Sequence, residues 1–536
     1  MSARRPLRRP SLRRASPGHL DQQGVPDDVL LVGWTFAVAV AIVLVGFGLR
    51  WWVLRSTLGG VDVDEATVGL QAQHILEGHP ATFFPTQQYG GTLETSTVAL
   101  AFGFFGVGAG TLKVVPVVFH LVACIVVWRT ARRLRVGPVA ALVAPTVLWL
   151  GPAAGIWEST KERGFYGAAI VLAALVLHLV VREHQRHARS NLAALGLCVG
   201  LAVWTTPLLA AAVVPPVAWL IVGRRRTFGR DPLAVLAAAT GVLIGASPWL
   251  IWNVRHGWES MASPPSFGTT WLGRFEDWMH RLGTIVGTTT PWTGRALLPS
   301  VVVLVVIFAG VAVAARSTLE TAPGLLAVAV LGFGVLLACN GLAISVGPDP
   351  RYLYPMLPAL ALTASAAAAN LPSSRLGLVG LGAIAAGCAL LSAWGLVGLD
   401  RDAGRDGQEL FLASPGLDRV IAALEARHIG TAITDTSGHQ ITFATRGRIQ
   451  ASTYGIARFA ETERAARRNP TTYVLRNGYM GGDDERLRKY LLVHRISYDH
   501  RSIGIYQIFY LDEPVLPEEI PLRTFAGAVR APGEGP

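Results

Sequence analysis

Three carboxylates within four residues, Asp62, Asp64 and Glu65, follow the first long apolar run of this chain. A carboxylate at a membrane mouth can take the proton from an attacking hydroxyl or amine when its geometry fits. The same spacing also has a purely structural reading. Asp62-x-x-Glu65 matches a capping box, in which Asp62 accepts from a backbone amide and Glu65 reaches back to the cap. That reading accounts for two acids and leaves Asp64 without a task. A second polar group, Gln87-Gln88-Tyr89-Gly90-Gly91-Thr92-Leu93-Glu94, lies downstream.

Cations gather on the same expected face. Lys161 and Arg163 fall on a short loop, Lys113 just inside one helix end and Arg351 immediately before another. The chain has three lysines, Lys113, Lys161 and Lys489, so two of the three stand at outer helix ends. A charge within hydrocarbon costs roughly 2.5–3.5 kcal/mol, and snorkelling to the interface explains any one of them. Four converging where the acids sit suit an anionic lipid headgroup, phosphate above all, held by charge-assisted hydrogen bonds.

These residues need a membrane scaffold, and the composition supplies one. The 536 residues are 51% hydrophobic and only 15% charged, with a mean hydropathy of +0.42. Soluble domains carry roughly 25% charge. The formal net charge of +12 comes from clusters beside apolar runs, at Arg4–Arg14, Arg129–Arg135 and Arg224–Arg230. Such clusters mark cytoplasmic helix ends. No basic groove interleaved with aromatics is visible, which argues against nucleic acid. Cys124, Cys198, Cys339 and Cys388 all lie in apolar runs without metal-ligand spacing and read as small core residues.

Residues 1–28 read as a disordered basic cytoplasmic tail. The first apolar run, 29–53, is too long for a signal-peptide core and stays as an anchor. Ala66–Glu77 reads as a short amphipathic helix, stopped by Gly78 and Pro80, and Thr92–Gly108 as an interfacial or re-entrant helix. Further spans follow near 111–131, 137–156, 164–181, 191–205, 207–223, 233–252, 298–315, 323–345, 352–370 and 376–398. The expected fold is a polytopic α-helical membrane protein of about eleven transmembrane helices with a small C-terminal α/β extracytoplasmic domain. This parity keeps the arginine clusters inside and sends the acids and the C-terminal region outside, in a plasma membrane. The membrane domain runs over 29–399, the α/β domain over 400–513 and a Pro-rich tail over 514–536. Trp271, Trp278 and Trp292, in a long outer loop, read either as sugar platforms or as interfacial anchors.

The order of these pieces resembles the GT-C superfamily of membrane glycosyltransferases, in the branch of protein O-mannosyltransferases and aminoarabinose transferases. The residues that carry the resemblance are Asp64-Glu65 with Gly69, Ile75-Leu76-Glu77-Gly78, Tyr89–Glu94 and Lys161–Tyr166. Pro248-Trp249 with Asn253 and Pro350-Arg351-Tyr352-Leu353-Tyr354-Pro355 complete the set. The resemblance implies transfer of a sugar from a polyprenyl-phosphate donor to an extracytoplasmic glycan, lipid or protein acceptor, with inversion and Asp64 as general base. It makes Asp62, Glu65 and Glu94 supporting acids, and Arg351, Tyr352, Lys161, Arg163 and Lys113 the donor-phosphate set. Tyr89 and Tyr166 become acceptor or sugar contacts. Glu94 stands where some relatives place an acid that helps bind a divalent cation, and it is the candidate metal ligand here. Thr95-Ser96 replace the Lys-Pro-Pro of the aminoarabinose transferases, so neither metal nor acceptor class carries over from them. The competing functions are a transporter or flippase of a lipid-linked sugar and a non-catalytic scaffold. Transporters place ionisable groups near the midplane within repeats; here they gather at one mouth and no repeat is found.

Overall fold

The computed structural model of the protein describes residues 27–261, 270–291, 294–339, 350–403, 416–455, 458–477 and 482–522. Nearly all of the expected basic tail, Trp292, the Gly347–Asp349 turn and the tail beyond 522 lie outside them.

Helix α1 (Asp27–Arg55) leaves Trp34, Phe36, Leu44 and Trp51 exposed around its girth. Apolar surface of that extent marks a membrane- or partner-facing element. A short turn leads into α2 (Val63–Leu76), which ends where Gly78 takes a φ of +88°. Helix α3 (Leu93–Phe105) has 13 residues and is too short to cross, in keeping with an interfacial helix. The chain continues through α4 (Ala109–Arg133), α5 (Ala140–Leu150), α6 (Ala153–Glu158), α7 (Tyr166–Gln185) and α8 (Arg189–Thr205). Then come α9 (Leu209–Arg230), α10 (Pro232–Gly245), α11 (Ser247–Arg255), α12 (Trp271–Ile285), α13 (Ser300–Ser317) and α14 (Leu325–Cys339). A 3-10 helix over Pro350–Met356 enters α15 (Leu357–Ala367), and α16 (Arg375–Ala403) closes the bundle.

Every interval expected to span contains helix, and the protein is a multi-pass membrane protein. By length and composition five of the described helices can cross, α1, α4, α7, α13 and α16, or six if α10 and α11 count as one span bent by 62°. The others are shorter or broken, so this measure does not reach the expected eleven. Pro248 at the start of α11 removes a backbone donor at that bend.

One stretch differs from the sequence reading. The loop expected over 253–297 contains α12, whose Trp278, Leu282 and Ile285 are buried at helical spacing. Trp278 lies against Gly334 of α14, where a Cβ would come within 2.4 Å of the indole. It is therefore a packing residue, not a sugar platform.

Helices α8 and α10 approach backbone to backbone. Gly196 and Gly200 face Ala238 and Val242, while Gly241 and Gly245 face Ala193 and Leu197; a Cβ at any of the four would fall 2.0–2.4 Å from a carbonyl oxygen. Small residues four apart allow this close packing inside membranes.

The C-terminal region is α/β. It comprises α17 (Leu417–Ala426), β1 (Thr431–Thr434), α18 (Gly438–Ala444), β2 (Gln450–Thr453), α19 (Ala460–Arg468), β3 (Thr472–Arg476), α20 (Asp483–His494), β4 (Tyr498–Ile503) and β5 (Tyr506–Leu511). The sheet order is β2-β1-β3-β5-β4, with the first three strands parallel and the last two joining antiparallel. Residues 503–510, read from sequence as one strand, are instead the turn of a hairpin at Gly504 and most of β5. The carboxyl ends of the parallel strands point at α2. There α18 packs on α2, Gln440 Nε2 donates to Val61 O at 2.6 Å, and the Phe443 ring fills the space that a Cβ on Gly69 would need.

The α8–α10 contact yields a direct test. Gly241→Leu should lower stability by about 1–3 kcal/mol through overpacking, read as a drop in the thermal midpoint of detergent-solubilised protein. Gly223→Leu, with nothing within 4 Å of its Cβ position, should leave the midpoint unchanged.

Candidate active site

The capping box is present as read from the sequence. Asp62 Oδ1 accepts from Glu65 N at 2.9 Å, and Glu65 Oε2 accepts from Asp62 N at 3.0 Å. These two acids also do more than cap. Lys113 Nζ donates to both Glu65 oxygens, at 2.7 and 2.9 Å, and Lys161 Nζ reaches Glu65 at 3.1 Å and the Gly60 carbonyl at 2.9 Å. Arg163 Nε bonds Asp62 Oδ2 at 3.0 Å, and its Nη1 bonds Glu158 at 2.8 Å. All six side chains are buried.

This is a balanced set of three cations and three acids. Burial alone would raise the Asp62 carboxyl, but Arg163 and Lys161 hold it well below the usual carboxylate range. Sequence reasoning assigned Lys113, Lys161 and Arg163 to a lipid phosphate. The structure instead matches their charges with Asp62, Glu65 and Glu158. The reason is electrostatic: a cation removed from water takes the nearest carboxylate.

Glu94 and Glu162 lie beside this set, and no cation among the described residues pairs with either. Glu94 Oε2 accepts from Ala168 N at 2.8 Å, at the start of α7. Burial pushes Glu94 up to about 7, and burial followed by the Glu94 carboxylate raises Glu162 well above the usual range. Burial thus disfavours the charged form of both carboxyls. Glu94 serves the end of α7, and among the described residues no three His, Cys, Asp or Glu side chains converge on a point that could hold an ion. The residues present do not fit a divalent cation at Glu94. Among the described residues His74 and His79 belong to no such group, and the His74 ring meets that of Phe459 edge to face at 5.2 Å.

Asp64 stands apart from these contacts. It sits in the first turn of α2, and its side chain is more exposed than those of Asp62 and Glu65. Arg351 Nη1, from the 3-10 helix before α15, donates to Asp64 Oδ2 at 3.0 Å. Arg458, from the loop between β2 and α19, stands 3.5 Å from Asp64 Oδ1. Asp64 thus has two ion-pair partners, where the sequence suggested none.

Aromatic rings surround the pair. The Arg351 guanidinium lies 5.7 Å from the Tyr166 ring centre and 5.4 Å from that of Tyr352, and the two rings meet edge to face. Tyr89 is close enough for charge to matter: burial, Tyr352 and Asp64 raise its hydroxyl, against Arg351 and Arg458. The site therefore brings together Asp64, Arg351, Tyr352, Tyr89 and Tyr166 from the expected set. It adds Arg458, Glu158 and Glu162, which sequence reasoning did not assign. Glu158 could have been found from its five-residue spacing to Arg163; Arg458 sits in a polar stretch that gives no local sign of its role.

The bundle, the α2–α3 segment and the C-terminal α/β region together make the fold of the GT-C membrane glycosyltransferases. Residues 97–252, from α3 to α11, match the family model described as dolichyl-phosphate-mannose-protein mannosyltransferase. Among solved structures, ArnT from Cupriavidus metallidurans in its apo state aligns at a TM-score of 0.62 and 14% identity, covering 90% of this chain and 98% of ArnT. The same protein bound to undecaprenyl phosphate aligns at 0.60, 14%, 89% and 98%. Curated protein sequences give no significant match.

The buried charges predict opposite outcomes for two neighbouring substitutions. Lys161→Met leaves Asp62 and Glu65 short of a cation and should cost about 3–5 kcal/mol. Glu162→Gln replaces a carboxyl whose charged form burial already disfavours and should cost under about 1 kcal/mol. Thermal unfolding of the two purified variants in one detergent measures both.

Proposed function

We propose that this protein transfers a sugar from a polyprenyl-phosphate-linked donor to an acceptor in the cell envelope, a glycan, lipid or protein, on the outer face of the plasma membrane. The observation that carries the reading is the Asp64–Arg351 pair, an accessible carboxylate held 3.0 Å from a guanidinium beside a balanced buried network. The solved structure of ArnT with undecaprenyl phosphate, on the same fold, supports a polyprenyl phosphate as the lipid.

In this reaction Asp64 takes the proton of the acceptor hydroxyl or amine as its heteroatom attacks the anomeric carbon from the face opposite the phosphate, and the sugar inverts. Arg351 leaves Asp64 for the departing phosphate, whose growing charge it stabilises. Tyr166 and Tyr352 flank that guanidinium, and Tyr89 offers its hydroxyl to the sugar or acceptor. The phosphate is a good leaving group, so no general acid is required. An apolar cavity of about 330 Å³, lined by Leu148, Ile285, Ile307, Leu357, Leu360 and Leu391 among others, lies beside α15 and suits the first isoprene units of the donor. The acidic loop and the C-terminal region lie outside, and the N-terminus inside.

Purified protein given polyprenyl-phosphate sugars and envelope acceptors should show transfer, and Asp64→Asn should lower kcat by about 100-fold or more, the effect of removing a positioned base. Undiminished transfer by that variant would rule out Asp64 as the base. Movement of the intact donor across vesicle membranes without any transfer would point to a flippase.

A further inference from the structure

We infer that Arg458 is the second phosphate-binding cation of the active site, so that the C-terminal α/β region completes the catalytic centre instead of only covering it. This rests on the transferase reading above. Arg458 leaves the chain at the carboxyl end of β2, next to the β1–α18 connection that docks on α2. Open α/β sheets bind their ligands outside the carboxyl ends of their strands.

Its surroundings fit a waiting substrate contact. Nη1 donates to Thr67 Oγ1 at 2.8 Å and lies 3.5 Å from Asp64 Oδ1, and the guanidinium sits 5.2 Å from the Phe84 ring centre. Its Nε is buried and has no hydrogen-bond partner among the described residues. A buried guanidinium donor without a partner costs free energy that a ligand oxygen restores. The other basic side chains near the acids, Lys113, Lys161 and Arg163, are matched by Asp62, Glu65 and Glu158.

Charge balance across the reaction requires two such groups. Before transfer, Asp64 with Arg351 and Arg458 sums to one positive charge, against the single negative charge of a phosphodiester donor. The acceptor oxygen or nitrogen then bonds to the anomeric carbon, the carbon–oxygen bond to phosphate breaks with its electrons on that oxygen, and the acceptor proton passes to Asp64. The leaving phosphate monoester now approaches two negative charges. Neutral Asp64 and two arginines supply two positive ones. With Arg351 alone, each stage would hold one uncompensated negative charge.

The experiment compares full-length wild type, Arg458→Met, Arg458→Gln, Arg458→Lys and, as a control, Arg448→Gln, whose exposed side chain pairs with Glu425. Methionine keeps the stem against Phe84, and its lack of charge leaves Asp64 still paired with Arg351. Binding of undecaprenyl phosphate and steady-state transfer are both measured. Arg458→Met should weaken undecaprenyl phosphate binding roughly tenfold or more and lower kcat by about 100-fold. Donor KM should change much less than kcat. Arg458→Lys should fall between Met and wild type, because an ammonium lacks the guanidinium fork. Wild-type binding and rate in Arg458→Met would overturn the inference, and if that variant does not fold, wild-type values in Arg458→Gln would overturn it instead. If no variant or wild type transfers sugar, the transferase reading fails, while the binding comparison still decides whether Arg458 holds the phosphate.

Discussion

Charge removed from water must be matched within reach, and this constraint organises the surroundings of the first turn of α2. Asp62, Glu65 and Glu158 occupy Lys113, Lys161 and Arg163, each pair drawn from different helices or loops. The end of α6, the loop after it and the start of α4 are thereby fixed around one turn of α2. Breaking any one contact would strand an ion in a medium that solvates it poorly. The network is a foundation, and its residues hold one another where the sequence suggested they would hold a substrate.

The proposed chemistry falls to Asp64, two positions beyond the cap. A helical first turn sends neighbouring side chains in different directions, so Asp62 and Glu65 are buried while Asp64 stays partly exposed. Adjacent acids thus divide between anchoring and reaction by geometry alone. Arg351 and Arg458 approach Asp64 through different carboxylate oxygens, one from the bundle and one from the α/β region. The same carboxylate therefore joins two parts of the chain that pack around it.

Much of this was legible in the sequence. The long apolar runs, the capping box, the short α3, the stop at Gly78 and the alternation of helix and strand after residue 416 follow from hydrophobic period and turn chemistry. Asp64 and Arg351 were legible as an acid and a cation on one face. The helix over Trp271–Ile285 was missed because Trp, Gly and Thr mask its periodicity, and the 503–510 stretch because one apolar pattern runs through a hairpin turn. The pairing of the cations depends on which charges share a buried volume, a property of tertiary packing. Arg458 acquires its meaning only when β2 and α2 are brought together, which local sequence does not encode.

The contact between Asp64, Arg351 and Arg458 has a consequence in time. Its members come from the second helix, the entry to the fifteenth and a loop of the C-terminal sheet, so no early part of the nascent chain contains the complete site. At roughly 5–20 residues per second, synthesis separates the acid from the last arginine by about 20–80 s. On the proposed mechanism the protein stays chemically silent until that last loop is made. A chain that stalls or is cut before that loop carries the acid to the membrane without the groups that pair with it there.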